Sequence, residues 1–235
     1  MLILNVWIFL SSIVGPSLFW MVYYYLKDRY RPEPFVNLGS AYLFGLVAAF
    51  ACLKSFDLLP YFGLRGYAFF FAERNHPLFL AYCLCVVGPI EELFKFLPYL
   101  FILMRFKKFD EKMDGIIYAS VIALGFASFE NFLYLPFLDR LTLFGRSIAT
   151  PLTHSIFSSI WGYTAGVARL KKRSILKASV VGLFISALFH GLFDFLNFSS
   201  GWRVLSALLI LLIWIWLIKL TAKLQQQERA KKVEI

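Results

Sequence analysis

Long unbroken apolar runs dominate the chain, separated by short clusters of charge, Pro and Gly. Leu205 to Leu217, LSALLILLIWIWL, is typical and shows no alternation of polar with apolar positions. A helix crossing a bilayer needs about 20 apolar residues, since only a helix satisfies every backbone N–H and C=O within its own segment. A transmembrane barrel would instead show short alternating stretches. Runs suited to helical spans lie at about 2–26, 36–53, 78–104, 115–137, 149–168, 175–197 and 201–222. The pattern predicts an all-α polytopic membrane protein of about seven transmembrane helices. It reads as one integral membrane domain over 1–235, with any active site buried in the helix bundle.

Composition supports this reading: 60% of residues are hydrophobic and 16% charged, against about 45–50% and 25% in soluble domains. The 24 Lys and Arg against 14 Asp and Glu would hint at nucleic acid in a soluble chain. Here the positive charge sits beside apolar runs and reports topology, so no nucleic-acid partner is expected. Seventeen Lys and Arg fall in one set of alternate loops and six in the other, with Lys95 inside a span. The positive-inside rule then puts the N-terminus outside the cell membrane and the C-terminus in the cytoplasm.

The N-terminal run lacks a basic n-region and a small-residue cleavage site, so it is read as a retained span. Cys52, Cys83 and Cys85 lie in or beside apolar runs and read as packing residues. Tyr67-Ala68-Phe69-Phe70-Phe71 reads either as a loop on the headgroups or as an interfacial or re-entrant element. The basic tail, about 219–235, is expected on anionic headgroups, with partner binding as the alternative.

Ionisable groups within spans are costly and therefore point to function. They cluster in a core of about 78–197. The third span holds Glu91, Glu92 and Lys95 after Gly88-Pro89, the fourth Glu130 and Asn131, the fifth His154, and the sixth His190 and Asp194. Glu130, His154, His190 and Asp194 all fall in the outer halves of the expected spans. A bend at Pro89, which removes a helix hydrogen bond, would bring the glutamates level with them. Lys95 stands i,i+4 from Glu91 and i,i+3 from Glu92, so it can pair with either. Two adjacent carboxylates in low dielectric are not both ionised cheaply, which leaves one as a candidate general base or acid. His190 and Asp194 share a face, as do His154, Ser158 and Gly162, and Gly162-xxx-Gly166 permits close helix approach.

Each group alone has a simpler explanation. The Glu/Glu/Lys set could be a neutralised packing network, a lone membrane His a hydrogen-bonded core residue, and Asn131 interhelical glue. Asp28 and Asp114 read as interfacial charges at span ends. Convergence on four consecutive spans argues for chemistry instead. Such a set either activates water, by a glutamate or through a metal held by His and carboxylate, or relays protons and binds ions in a transporter.

The motifs themselves resemble a known family. Glu91-Glu92-Leu93-Phe94-Lys95 is similar to its EExxK element, and Phe126-Ala127-Ser128-Phe129-Glu130-Asn131 to FxxxEN. His154 followed by Gly162-Tyr163 and Gly166 matches the third motif, His190-Gly191-Leu192-Phe193-Asp194 matches HxxxD, and Asp28 to Pro34 resembles an acidic Pro-Glu-Pro element. These are signatures of the PrsW intramembrane proteases, relatives of the CAAX-processing and bacteriocin-processing membrane enzymes. The resemblance implies an intramembrane endopeptidase that hydrolyses a peptide bond in a membrane-anchored protein substrate, as in the first cut of an anti-sigma factor during regulated intramembrane proteolysis. It implies Glu91, Glu92, Glu130, His154 and His190 as catalytic, supported by Lys95, Asn131 and Asp194. Glu91 and Glu92 would hold or activate water, tuned by Lys95. His190 with Asn131 could donate to the oxyanion, with Asp194 orienting His190. Alternatively Glu91, Glu130, His154, His190 and Asp194 are candidate ligands for a metal, zinc being the implied ion. The glutamate and metal mechanisms stay open, and an ion-coupled transporter is the alternative function.

Overall fold

The computed structural model describes residues 10–28, 30–64, 76–106, 108–199 and 201–233. Among these, seven helices and no strands occur. A π turn, Leu10–Val14, leads into α1, Gly15–Lys27. Helix α2 is Phe35–Leu58, followed by a 3-10 turn Leu59–Phe62. Helix α3 runs from His76 to Arg105 with a π turn at Cys83–Val87. Then come α4, Lys112–Tyr134, α5, Arg140–Leu170, α6, Ile175–Phe198, and α7, Arg203–Val233.

Five of these, α2, α3, α4, α6 and α7, are long and apolar enough to cross a membrane. Helix α5 does not qualify on hydropathy because it carries Ser, Thr, His and Arg along its length. Those polar groups are almost all turned inward, so the helix is bundle core despite its composition. The stretch Tyr67–Phe71 and the first residues of the N-terminal run lie outside the described residues.

Helix α4 is the axis of the bundle: 78% of its most apolar window is buried, against 28–33% for the other four. Its Gly, Ala and Ser residues let neighbours approach to backbone distance. A Cβ on Gly115 would run into the carbonyl of Gly162 on α5, and one on Gly162 into Gly115 and Ala119, so the small-residue face expected of α5 is a close helix crossing. A second crossing joins α3 to α6. A Cβ on Gly191 would sit 2.7 Å from the Cys83 carbonyl carbon and 2.9 Å from Leu84 Cα, and one on Gly88 would sit 2.9 Å from the Gly191 nitrogen.

The structure corrects one expectation and adds detail to others. Helix α5 starts at Arg140, capped by Asp139, whose side chain accepts from the N–H groups of Leu141 and Thr142. This cap carries the helix nine residues further than the apolar run, and places His154 near the middle of α5 instead of near its end. Before Glu91, where a bend is expected, the helix has a π turn in which the Gly88 N–H bonds back to the Cys83 carbonyl. Asp28 and Asp114, read as charges at span ends, are only 3% and 1% exposed. Asp114 closes a capping box by accepting from the Asp110 and Glu111 N–H groups, and Asp28 accepts from the Glu33 N–H. As far as Val233 the basic tail is a helical continuation of α7, and its Gln225 donates to the Lys27 carbonyl.

Candidate functional site

A cavity of about 840 Å³ enters the bundle at the end where α4 joins α5 and α6 joins α7. One face of α5 lines it from Thr142 through Arg146 and Thr150 to His154, a rise of about 18 Å. Aromatic side chains such as Phe126, Phe129 and Phe193 make up much of the remaining wall, and Glu91, His154 and His190 lie at its deep end. Cys52 and Cys83, read as packing residues, are buried and also line the wall.

The crossing at Gly88 and Gly191 places the first motif of α3 against His190. Glu92 is 0% exposed and saturated with donors. Its Oε1 accepts from Lys95 Nζ and His190 Nδ1, both at 2.8 Å. Its Oε2 accepts from Trp161 Nε1 at 2.8 Å, Ser186 at 3.0 Å and Ser158 at 3.1 Å. Five donors on one carboxylate offset the cost of burying it. Glu92 is not part of the cavity wall.

Glu91 is its opposite. It faces the cavity, and its Oε2 is buried without a hydrogen-bond partner. Around that oxygen stand Lys95 Nζ and His190 Nε2, each 3.6 Å away, and His154 Nδ1 at 3.9 Å. Because His190 Nδ1–H donates to Glu92, Nε2 of the neutral ring keeps its lone pair and points toward Glu91, with Asp194 Oδ2 3.7 Å away. The group that orients His190 is therefore Glu92; Asp194 is too far for a hydrogen bond.

Lys95, also 0% exposed, links the two motifs. Its ammonium donates to His154 Nδ1 at 2.7 Å and lies 4.5 Å over the Phe126 ring. An ammonium cannot accept, so Nδ1 carries the lone pair and the ring proton is on Nε2, which donates to Glu130 Oε2 at 2.8 Å. Glu130 Oε1 accepts from Arg146 Nη2 at 2.5 Å, and the guanidinium stacks 3.9 Å from the Tyr134 ring centroid. Arg146 is absent from the sequence-derived set because its position reads as an outer loop. The sign that could have found it is Asp139, a helix N-cap that puts Arg146 and His154 eight residues apart on one α5 face.

Asn131 is 1% exposed and is not part of the cavity wall. It lies one turn from Ser128, which hydrogen-bonds Ser17 of α1 and Tyr42 of α2.

One ligand atom each from Glu91, His154 and His190 lie within 4.8 Å of one another, close enough to hold a metal ion. The unpartnered Glu91 Oε2 and the free lone pair on His190 Nε2, backed by the Glu92 carboxylate, are what a first and second metal shell require. The donor set fits, provided that the Lys95 ammonium gives up its bond to His154.

The family described as PrsW family intramembrane metalloprotease matches residues 33–220. Protease PrsW of Clostridioides difficile (strain 630) is 31% identical over 238 residues, covering 96% of this chain and 94% of the relative. Protease PrsW of Oceanobacillus iheyensis is 30% identical, covering 90% and 92%, and that of Geobacillus kaustophilus 31%, covering 87% of each. No solved structure matches. With the motifs in order on four packed helices and the match extending over most of its length, this multi-pass membrane chain belongs to the PrsW family of intramembrane metalloproteases.

Proposed function

We propose that the cavity hydrolyses a peptide bond in a membrane-anchored protein, with Glu91 as the group that activates water. The observation that carries this is the pairing of Glu91 with Glu92. One carboxylate oxygen is buried on the cavity side without a partner, and its neighbour is sealed away by five donors. A general base must reach the water it deprotonates, and of the two only Glu91 can. Glu91 takes a proton as the water oxygen attacks the scissile carbonyl carbon, and returns it to the departing amine nitrogen as the C–N bond breaks. Glu92, Lys95 and His190 hold the floor of the site rigid.

A metal is the second reading, favoured by the Glu91, His154 and His190 cluster and by the family's own description. These residues would hold it, and it would supply Lewis acidity toward the carbonyl and a more acidic water. The ion-coupled transporter is not favoured by the comparisons. An anti-sigma factor with a single span fits as substrate class. The excess of Lys and Arg in one set of loops supports a cavity that opens outward, and on that orientation cleavage is expected near the outer surface of the substrate span.

The test is cleavage of a single-span reporter by the purified chain in liposomes, with and without a strong zinc chelator. Glu91→Gln should abolish cleavage while the protein remains folded. Loss with chelator as well supports the metal reading; survival supports the glutamate alone. An active Glu91→Gln variant would refute the assignment.

A further inference from the structure

We propose that Arg146 is a positioning residue for this reaction, anchoring Glu130 so that Glu130 in turn fixes the ring of His154 against Lys95. This rests on reading the cavity as the protease site. Arg146 and His154 stand two turns apart on α5, and both line the cavity. The link runs Arg146 Nη2 to Glu130 Oε1, then Glu130 Oε2 to His154 Nε2, then His154 Nδ1 to Lys95. From Lys95 it reaches Glu92, which orients His190.

Two physical arguments make Arg146 the anchor. A glutamate bonded only through one oxygen to an imidazole can still turn about its side-chain torsions. Once its other oxygen is pinned, the carboxylate plane is set, and with it the direction in which His154 must donate. The guanidinium is held in turn by its stack on Tyr134, so the anchor does not drift. Glu130 also has no other cation in direct contact among the described residues, and a half-buried carboxylate that loses its one counter-ion is destabilised. Arg146 itself is reachable, its side chain being 17% exposed toward the cavity.

The test combines a spectroscopic and a kinetic readout on the full chain in lipid nanodiscs. The sequence holds three histidines, His76, His154 and His190, so 15N-histidine NMR resolves His154, assigned by its loss in His154→Gln. The wild type should show His154 as the Nε2–H tautomer. In Arg146→Ala that signature should be lost or split, and kcat on the reporter should fall about 10–100-fold with KM little changed. Arg146→Lys should recover part of both. Free guanidinium or methylguanidinium, entering the cavity, should restore part of the activity of Arg146→Ala, which a purely architectural role would not allow. An unchanged His154 spectrum in Arg146→Ala, or a rise in KM alone, would overturn the proposal. If Arg146→Ala does not fold, Tyr134→Leu frees the guanidinium without removing the charge and should shift the same resonance in the same direction. If the wild type cleaves no reporter, the protease reading fails, and the spectrum alone still decides whether Arg146 positions His154.

Discussion

Two adjacent glutamates on one helix differ in direction by about 100°, and in this protein that angle separates two tasks. Glu92 points into a nest of five donors supplied by α3, α5 and α6, and Glu91 points into the cavity. The two conservative substitutions should therefore fail differently. Glu91→Gln should leave the thermal unfolding midpoint in detergent nearly unchanged and remove cleavage. Glu92→Gln should lower the midpoint sharply, because the amide presents N–H groups to donors and leaves Lys95 without its closest anion. Breaking a buried pair in this way costs about 3–5 kcal/mol. Equal midpoints for the two variants would show that Glu92 does not hold the bundle together.

At the scale of elements, the site depends on how closely α3 and α6 approach. Gly191→Ala would drive a Cβ into the backbone of Cys83 and Leu84, which cannot yield as a side chain would. The helices must part, and the 2.8 Å bond from His190 to Glu92 stretches. A loss of about 1–3 kcal/mol in stability should accompany a fall in cleavage, read by thermal unfolding and reporter turnover. Gly39→Ala on α2 is the control: nothing lies within 4 Å of its added Cβ, so it should be neutral or stabilising by up to about 1 kcal/mol. Damage of similar size from both would mean that the crossing is not tight.

The existence of these helices was legible because membrane spans are long apolar runs, and the meeting of the four motifs followed from ionisable groups having nowhere else to go. Two features were not legible. The start of α5 was hidden because a core helix facing a polar cavity carries Thr, Ser and Arg, which mimic a loop; Arg146 was lost with it. That the two glutamates divide the work was expected, but which of them is sealed away was hidden, because it depends on Ser158, Trp161 and Ser186, which belong to other helices and match no local pattern.

Across the whole molecule, α4 connects two polar clusters, with Glu130 facing the cavity and Asp114 about 24 Å away at the other end. There Asp28, Glu33, Asp110, Glu111 and Asp114 gather around the ends of α1, α3 and α4. Arg31 pairs with Asp110 and Glu111, and Tyr118 donates to Glu33. The end of α7 adds Glu228 beside Asp28 and Glu111, with Lys27 and Tyr30 alongside. Burial, and after it the neighbouring Glu111, push the Asp28 carboxyl up to about 8, and burial also raises Glu33. An acid whose pKa is raised on folding binds more protons in the folded state than in the unfolded one. Its contribution to stability is therefore fully present at low pH and is lost as pH rises from about 4 to about 8. The unfolding midpoint should accordingly fall between pH 6 and pH 8.5. Asp28→Asn, which can still accept the Glu33 N–H, should flatten that slope and raise the midpoint at pH 8.5. Because this cluster and the cavity lie at opposite ends of α4, the variant should leave the pH profile of cleavage unchanged well below the midpoint. A slope that persists in Asp28→Asn would mean that other groups carry it, and an altered cleavage profile would mean that α4 couples its two ends.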